Sequence, residues 1–502
     1  MQRFTPVGKR ARIEGLDLLR GIALLGIAVV NVQQIFQPMP LAGLPIGLVP
    51  GERGIWATWA VTHTLFDTKF FTLFAFLFGL GFSVQHERSR GTDSNFRSFY
   101  LRRLGFLAIL GVFHGLLLYA ADVLIIYALS GGLLLCCRKW SAPKMMQVGL
   151  GMLLTTLVLY QGLVGPTFVV SFTFKLMVLT VLTLFLMRRL SPKFYLSGTA
   201  GLMALVFSAQ FIYSSALVGP SEWSDPLLWQ REASAKVHTM LATGRSPGTI
   251  SWDGAAFQAL FLGNKASVPL ETIAYGQGPY ALTLMARTAT FLSFLGKTLF
   301  YFLWRTWGLF LLAAGLAKWG YLQIHRKPYW RMAAIWGFGI GLTMAVCATA
   351  LRGLGFTGVA VPVGLAPMLH DLAAYAIVAG LTGSFLLFSH TDKLPKIRRV
   401  LAAVGRTALS NYLGQSLVLG TLAAWYGFGL YGQMSRLMQF LLALAVFLVL
   451  AGSSVAWLKR FRMGPLEWLW RCVTYRTHFP LRHEPTVALG PPGPPLKGGV
   501  GS

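Results

Sequence analysis

The chain has 502 residues, of which 55% are hydrophobic and only 12% are charged. Soluble domains typically carry about a quarter charged residues, so this composition excludes an ordinary water-exposed surface. The formal net charge of +28 would suit a nucleic-acid partner, but the cations lie in short clusters between apolar runs. We therefore expect no nucleic-acid binding, and we expect a bilayer environment with anionic lipids beside the basic clusters.

Several apolar windows are long enough, or nearly so, for a helix to cross about 30 Å of hydrocarbon. They cover residues 16–36, 70–84, 104–119, 148–164, 167–187 and 437–457. None of them alternates as the strands of a membrane barrel do. The first window holds Asp17 and Arg20 and shows no small-residue cleavage site, which favours a retained span over a cleaved signal. The sequence predicts an all-α, polytopic helical membrane protein.

Basic clusters predict the topology. They occur at residues 8–14, 86–103, 138–144, 188–193, 325–331, 396–399 and 459–462, and most of the intervals leave room for two crossings. The positive-inside rule places all of them in the cytoplasm. We therefore expect about 12 transmembrane helices with both termini cytoplasmic.

Histidines and acids occur in pairs near the predicted outer ends of the spans. Intramembrane ionisable groups usually face a cavity or a partner and mark function. We expect the three pairs to border one water-filled chamber, and they are His114 with Asp122, His63 with Asp67, and His370 with Asp371. His63 and Asp67, four residues apart, would share one face of a helix.

Other polar residues are predicted to line a route between the two faces. On the first span, Asp17, Arg20, Asn31 and Gln34 fall on one stripe of the helix. Arg406, Ser410, Asn411 and Gln415 do the same on the predicted eleventh span, and Arg102 and Arg103 lie at the cytoplasmic end. Taken singly, such residues also serve as packing contacts between helices. We expect no metal site, because the histidines come from different segments without helix-paired spacing.

Three stretches carry a resemblance. "LDLLRGIALLGIAVVNV" (16–32), "KFFTLFAFLFGLGFS" (69–83) with residues 100–129, and "GRTALSNYLGQS" (405–416) with "RFRMGPLEWLWRCVTY" (460–475) resemble the YeiB family. The resemblance implies a multi-pass protein of the bacterial inner membrane whose C-terminal half is a domain of unknown function. It implies no activity.

A more distant likeness concerns the front of the chain. "LDLLRG" followed by "FDTKFFTLFAFLFGLGFS" (66–83) is similar to transmembrane acyltransferases of the heparan-α-glucosaminide acetyltransferase type. That family's chemistry implies transfer of an acyl group from cytosolic acyl-CoA to an acceptor. Asp67 matches the acid that opens the second span there, and Asn31 matches an asparagine that ends the first. That family has an essential histidine between these two spans. His63 is the histidine available for this role here, although it lies nearer to Asp67 than that family's spacing would place it.

These observations give a predicted domain organisation. It comprises an acyltransferase-like helical half (1–145, spans 1–4), spans 5–7 (146–218), a periplasmic loop or cap (219–287), a YeiB-type helical domain (288–476, spans 8–12) and a disordered tail (477–502). Homo-oligomerisation is left open.

Two functions from different classes follow. In an acyltransferase, His114 with Asp122, or His63 with Asp67, would act as a carboxylate-oriented general base. No tightly bound cofactor is expected; acyl-CoA would be a co-substrate, with Arg20, Arg102, Arg103 and Arg406 near its anionic part and Asp17, Asn31, Asn411 and Gln415 along the route. The acceptor would be a small molecule or a glycan- or lipid-linked group.

The alternative is a proton-coupled transporter or exporter of a small anion or lipid-linked metabolite. The outer titratable pairs, with His370 and Asp371 at the mouth, suit proton coupling, and Lys175 and Arg305 would be buried cations on the pathway. A purely structural scaffold would leave the histidine–acid pairs unexplained.

Overall fold

The computed structural model describes residues 13–45, 47–49, 52–89, 93–161, 254–262, 267–297, 302–357 and 365–483, with single residues at 299, 359 and 361. The predicted span at 167–187, Lys175 and the first part of the predicted cap lie outside the described residues. So does the end of the predicted tail, from residue 484.

The described residues form helices joined by turns. The first group is α1 Glu14–Phe36, α2 Ile55–Leu65, α3 Lys69–Arg88, α4 Asp93–Leu117, α5 Leu124–Cys136 and α6 Ala142–Gln161. Next come α7 Gly254–Leu262, α8 Ser267–Gly276, α9 Tyr280–Lys297, α10 Leu303–Lys318 and α11 Lys327–Phe356. The last group is α12 Leu365–Phe388, α13 Pro395–Arg406, α14 Ala408–Ala423, α15 Arg436–Arg460 and α16 Pro465–Tyr475. The predicted all-α class is confirmed, and within the described ranges the β-structure is limited to a bridge between Phe461 and Arg482.

Six of the described helical segments are long and apolar enough to cross a bilayer. They are Glu14–Phe36, Ile55–Arg88, Phe96–Leu117, Ile324–Phe356, Leu365–Phe388 and Arg436–Arg460. The segment Ile55–Arg88 is interrupted between α2 and α3, where Thr68 adopts a left-handed conformation with φ of 62°. The chain is therefore a helical membrane protein, and the number of about 12 spans stays a prediction.

Helix α1 lies at the centre and packs against α3, α12, α13, α14 and α15. Close contact requires glycine at two places, because a Cβ on Gly21 would lie 2.3 Å from Leu401 O and one on Gly405 would lie 1.9 Å from Asp17 O. Around α1, α10 packs against α3, α5 and α6, with Phe310 stacked on Phe78. The first and last parts of the chain thus share one core.

Basic segments meet at one end of the bundle, which we call the inner end. There Arg398 pairs with Glu14 at 2.8 Å, Lys318 Nζ donates to Arg138 O, and Arg406 donates to Arg462 O. The other, outer end joins different loops: Gly432 N donates to Phe36 O and Trp425 N to Tyr275 O. The charge asymmetry read from the sequence is thus present in three dimensions; the side of the membrane that each end faces stays a prediction.

The predicted eleventh span is divided into two helices in the structure. Arg406 ends the amphipathic helix α13, and a break at Thr407 separates it from α14, which carries Asn411 and Gln415. The predicted continuous span over these residues is therefore wrong. The break is stabilised by Glu467 of α16, whose Oε1 accepts hydrogen bonds from Leu409 N at 2.6 Å and Ser410 N at 3.1 Å.

Candidate functional site

A buried acid, imidazole and hydroxyl form a hydrogen-bonded relay near the outer end. His114 lies in the last turn of α4, Asp122 in the loop before α5, and Ser416 in the middle of α14. His114 Nδ1 is 2.8 Å from Asp122 Oδ1, and His114 Nε2 is 2.9 Å from Ser416 Oγ. All three residues are at most 2% exposed. We call these three residues the His114 relay.

The carboxylate of the relay is fixed by the backbone that starts α5. Asp122 Oδ2 accepts hydrogen bonds from Leu124 N at 2.8 Å and Ile125 N at 3.3 Å, so the negative charge sits at a helix N-terminus. A Cβ on Gly111 would lie 2.7 Å from Asp122 Oδ2, so glycine there gives the acid its room. With both oxygens held, the carboxylate can hold the imidazole in one orientation.

The relay has the chemical order needed to activate a hydroxyl. In the tautomer with the proton on Nδ1, His114 donates to Asp122 and its Nε2 accepts the hydroxyl proton of Ser416. A positioned imidazole backed by a carboxylate can take a proton from a nucleophile and return it to a leaving group. The geometry of the three groups is suited to acyl transfer, and the order of these residues along the chain does not matter for this chemistry.

A cavity lies one helical turn outward of the relay. Its wall includes Leu118, which directly follows the end of α4, and Gly420, which lies four residues beyond Ser416 and about 6 Å further along α14. The full lining is Gln34, Ile35, Met39, Leu118, Tyr119, Ala120, Glu271, Tyr275, Arg287, Thr290, Gly420, Ala423, Ala424 and Tyr431. Its volume of about 40 Å³ has room for about three water molecules. We call it the outer cavity.

Two residues of the predicted polar stripe on α1 border this region. Tyr119 OH donates to Asn31 Oδ1 at 3.2 Å and also contacts Gln34 Oε1, and the Tyr119 ring lies 6.0 Å from the His114 ring. Tyr119 therefore connects Asn31 to His114 of the relay: its hydroxyl bonds to Asn31, and its ring lies beside the imidazole.

Glu271, on the short helix α8, is the acid of the outer cavity. It is 3% exposed, and its two oxygens accept hydrogen bonds from Met39 N and Ser267 Oγ, each at 2.9 Å. Burial raises the pKa of Glu271 to about 7, and the two hydrogen bonds oppose this shift only in part. The carboxyl therefore holds its proton to a higher pH than an ordinary glutamate does.

The other outer histidines form a second group at the break between α2 and α3. The rings of His63 and His370 stack with centroids 4.1 Å apart, and His370 Nε2 is 3.5 Å from Asp67 Oδ2. Lys69 Nζ, fully buried, donates to His63 O at 2.8 Å and lies 3.2 Å from His370 Nδ1. We call His63, Asp67, Lys69 and His370 the helix-break group.

The shared helical face predicted for His63 and Asp67 is wrong. Helix α2 ends at Leu65, so His63 lies in its last turn and Asp67 in the turn that follows. The residues predicted to border one chamber are instead joined by contacts into two groups, one around His114 and one around His63.

Asp371 follows His370 of the helix-break group on α12 and pairs with Arg305. Arg305 NH2 is 3.1 Å from Asp371 Oδ1 and donates to Thr72 Oγ1 at 3.0 Å, while Arg305 Nε donates to Tyr375 OH at 3.2 Å. Arg305 is 2% exposed. It is therefore a buried cation, as the transport hypothesis expected, and an acid on α12 accompanies it.

Three potential metal ligands come within reach of one another in this group. Donor atoms of His63, Asp67 and His370 lie within 4.8 Å of one another, although these residues have no helix-paired spacing along the chain. Two cations lie beside the ring nitrogens of these histidines. Lys69 Nζ is 3.2 Å from His370 Nδ1, and Arg352 NH1 is 3.3 Å from His63 Nε2. A divalent cation would be repelled by both, so the donor set fits a metal poorly.

Three of the predicted cytoplasmic cations lie toward the inner ends of α1 and α4, each with a partner of its own. Arg20 NH1 pairs with Asp17 Oδ1 at 3.0 Å, and Arg103 NH1 donates to Gln85 Oε1 at 3.1 Å while its guanidinium covers the Trp470 ring at 4.1 Å. Arg102 Nε donates to Thr474 O at 2.9 Å. This inner basic group consists of Arg20, Arg102 and Arg103.

The polar residues of α14 bind neighbouring helices. Asn411 Nδ2 donates to Ser454 Oγ of α15 at 2.9 Å, and Gln415 Nε2 donates to Leu24 O of α1 at 3.2 Å. These contacts are the packing role that such residues commonly have in membrane bundles.

Comparison with known proteins shows similarity to proteins without an assigned function. Residues 316–477 match the family model described as "Protein of unknown function (DUF418)". The chain is 26% identical over 495 residues to the uncharacterized protein YxaH of Bacillus subtilis (strain 168), covering 97% of this chain and 100% of the relative. It is 28% identical over 470 residues to the uncharacterized protein YeiB of Escherichia coli (strain K12), covering 93% and 97%. These similarities support a YeiB-like family for this chain.

No solved structure matches this YeiB-like protein. Neither the family model nor the two relatives are assigned an activity by their names, so the acyltransferase likeness stays a prediction. Function has to be argued from the site itself.

Sequence reasoning missed three residues of this YeiB-like protein. Lys69, in "FDTKFF", could have been found, because it is an ionisable residue at the edge of an apolar run, just as Asp67 is. Glu271 is likewise an isolated acid in "SVPLETIAYG". Ser416 gives no such signal, since a serine in a membrane helix is common and its partner His114 is 302 positions away.

Proposed function

We propose that this YeiB-like protein is a membrane acyltransferase of the bacterial inner membrane. It takes an acyl group from cytosolic acyl-CoA and passes it to a periplasmic or lipid-linked acceptor. The single observation that carries the proposal is the His114 relay, in which an acid, an imidazole and a hydroxyl from two distant parts of the chain are in hydrogen-bond contact. Asp122 and His114 supply the base, and Ser416 is the residue that accepts the acyl group.

The reaction balances in two steps. Ser416 Oγ attacks the thioester carbonyl while its proton passes to His114 Nε2; the C–S bond breaks, and His114 returns the proton to the sulfur of CoA. The acceptor's hydroxyl or amine then loses a proton to His114 as it attacks the acyl-serine ester. The ester bond breaks, and the proton returns to Ser416 Oγ.

The placement of the inner basic group supports a cytosolic donor. Arg103 and His114 are eleven residues apart on α4, which corresponds to about 16 Å along the helix axis. CoA carries its phosphates at one end of a long arm and its thioester at the other. Phosphates held by Arg20 and Arg103 would leave the arm to reach toward Ser416.

The test is transfer from acyl-labelled acetyl-CoA by protein purified into nanodiscs, with bacterial glycan and lipid extracts as acceptors. We expect His114→Ala, Asp122→Asn and Ser416→Ala to lower the rate by about 10²- to 10⁴-fold. Ser83→Ala is the matched control, because Ser83 is also fully buried but donates to Ala314 O at 2.8 Å on a different helix pair. Mass spectrometry without acceptor should find the acyl group on Ser416.

Absence of transfer by the wild type over this acceptor range contradicts the proposal. So does full activity in both His114→Ala and Ser416→Ala. Activity lost in His114→Ala but kept in Ser416→Ala would overturn the acyl-serine step and leave direct transfer to the acceptor.

A second candidate, proton-coupled transport, is favoured by the helix-break group. Broken helices with ionisable groups at the break are a common construction of substrate and ion sites in transporters. Here His63, Asp67 and Lys69 stand at such a break within one candidate span. Flux into proteoliposomes that depends on a pH gradient, is lost in Asp67→Asn and persists in Ser416→Ala would favour transport over acyl transfer.

A further inference from the structure

Helix α16 connects two other helices at the inner end of the bundle. Near its start, Glu467 accepts hydrogen bonds from Leu409 N and Ser410 N of α14. Near its end, Thr474 O accepts a hydrogen bond from Arg102 Nε of α4 at 2.9 Å. Successive turns of this 11-residue helix therefore contact two different helices, so α16 runs from one to the other across the inner end.

A different stripe of α16 is apolar and exposed. Pro465, Leu469 and Val473 follow one another at intervals of four residues, so they lie on one side of the helix. Leu469 is 41% exposed and Val473 is 43% exposed, and Pro465 is also exposed. Apolar residues that stay exposed together, and not singly, are typical of a surface that contacts lipid or another molecule. We call these three residues the α16 stripe.

Positive charge borders the α16 stripe. Residues 459–482 contain one acid, Glu467, and α14 already engages its carboxylate. The same segment contains six basic residues, Lys459, Arg460, Arg462, Arg471, Arg476 and Arg482, and all of them except the half-buried Arg471 are exposed. Arg476 directly follows α16, three residues after Val473, and the bond to Thr474 O holds Arg102 close to the same end of the helix.

The combination of an apolar stripe and exposed cations fits a lipid with an anionic headgroup. A short amphipathic helix with these features lies in the headgroup region, where its apolar side meets acyl chains and its basic residues meet phosphates. A second copy of the chain fits poorly, because a symmetric contact through this face would bring Arg476 and its basic neighbours against the same residues of the other copy. Charge complementarity therefore favours lipid over a second copy.

We propose that the α16 stripe and Arg476 form a docking surface for anionic phospholipids in the leaflet at the inner end. Leu469 and Val473 lie among the acyl chains, and Arg476 binds a headgroup phosphate from the end of the helix. The surface is local to α16, whereas the charge distribution of the sequence predicts only a general preference for anionic lipid at every basic cluster. It does not depend on the proposed acyl transfer.

The test is quenching of a bimane label at Val473→Cys in a full-length variant whose four native cysteines are replaced by alanine. The protein is held in nanodiscs of equal phosphatidylglycerol and phosphatidylcholine, and one of the two lipids carries brominated acyl chains, which quench on contact. We expect quenching similar to that of a label at Leu448→Cys, a position on α15 that is 68% exposed. At Val473→Cys the brominated phosphatidylglycerol should quench more strongly than the brominated phosphatidylcholine. Arg476→Gln should reduce this preference about fivefold.

Two controls accompany this measurement. Arg476→Lys keeps the charge and should keep the preference, and Arg53→Gln, at an exposed position of the outer end, should leave it unchanged. Quenching at both Val473→Cys and Leu469→Cys below a tenth of that at Leu448→Cys would overturn the docking surface, because the stripe would then not contact acyl chains. Equal quenching by the two brominated lipids, or a preference that Arg476→Gln leaves unchanged, would overturn the anionic headgroup.

Oxidative crosslinking tests the remaining occupant of the stripe. A disulfide-linked dimer formed through Val473→Cys would show that a second copy covers the stripe, and it would overturn the proposal. We expect the protein to stay uncrosslinked. Neither experiment uses acyl-CoA, so failure of the docking surface leaves the proposed function standing, and failure of acyl transfer leaves the docking surface standing.

Discussion

At the scale of single residues, ionisable groups inside the described part of the bundle have polar partners. Arg305 lies against Asp371, His114 against Asp122, and Glu467 accepts three hydrogen bonds from Leu409 and Ser410. An unpaired charge inside a bilayer protein is costly, so removing one member of a pair should destabilise more than the pair itself contributes.

Arg305→Met tests this asymmetry. The variant keeps an unbranched apolar stem, which is shorter than arginine, and leaves Asp371 without the guanidinium, so we expect a loss of about 3–5 kcal/mol in the free energy of unfolding. Unfolding in nanodiscs or mixed micelles by denaturing detergent measures it. Arg399→Met, at an exposed position on α13, should change stability by less than about 0.5 kcal/mol.

The double variant Arg305→Met with Asp371→Leu completes this test. Removing both charges deletes the orphaned acid, so the double variant should be more stable than Arg305→Met alone. Additive losses from the two substitutions would show that the pair is not coupled.

Glu271 gives a pH dependence whose sign follows from its raised pKa. Burial raises the pKa of Glu271 to about 7 from the ordinary 4.5, so between these values the folded state binds more protons than the unfolded state. Its contribution to stability is therefore greatest at low pH and is lost as the pH rises to about 7. Glu271→Gln should flatten the melting temperature between about pH 5 and 7. An unchanged slope in the variant would assign the pH dependence to other groups.

At the scale of elements, glycines set how closely α11 and α12 approach. A Cβ on Gly337 would lie 2.4 Å from Gly380 N and 2.6 Å from Ala376 O, and one on Gly341 would lie 2.9 Å from Ile377 N. Close backbone contact replaces the hydrophobic effect as the main attraction between helices in lipid. Helix α11 carries Arg352, and α12 carries His370 and Asp371. The spacing of the two helices therefore sets the position of His370 within the helix-break group.

Gly337→Ala should separate these two helices. The methyl group would meet backbone atoms that cannot move aside, and we expect a loss of about 1–3 kcal/mol in the free energy of unfolding. Gly339→Ala is the control on the same helix, since its Cβ would have no heavy atom within 4 Å. We expect no loss there and a gain of up to about 1 kcal/mol from helix propensity. Equal effects of the two substitutions in a denaturing-detergent titration would contradict the packing argument.

The elements themselves show how far sequence reasoning reaches. Apolar length predicted α1, α3 and α15 because a spanning helix must be long and apolar whatever it packs against. The break after Leu65 and the break at Thr407 were missed, because neither contains proline. Both depend on tertiary contacts, such as Glu467 with the backbone of Leu409, that no local pattern records.

At the scale of the whole molecule, the site is built from both ends of the chain. Sequence reasoning identified His114 and Asp122 because each is costly in lipid, and their contact was predictable from eight residues of separation. It could not find Ser416, because that contact exists only once α14 packs beside α4 and α5. Cost in lipid identifies ionisable residues, whereas only the packed bundle identifies their neutral partners.

The same bundle predicts which loops face each side of the membrane. Lys393 is exposed in the turn before α13 at the inner end, and Arg53 is exposed before α2 at the outer end. In a variant whose four cysteines, Cys136, Cys137, Cys347 and Cys472, are replaced by alanine, Arg53→Cys should react with an impermeant maleimide added to spheroplasts. Lys393→Cys should react only after the membrane is opened, because the positive-inside rule holds its basic surroundings in the cytoplasm. Labelling of Lys393→Cys in intact spheroplasts would overturn the topology. It would also overturn a cytosolic acyl donor, because the inner basic group would then face the outside.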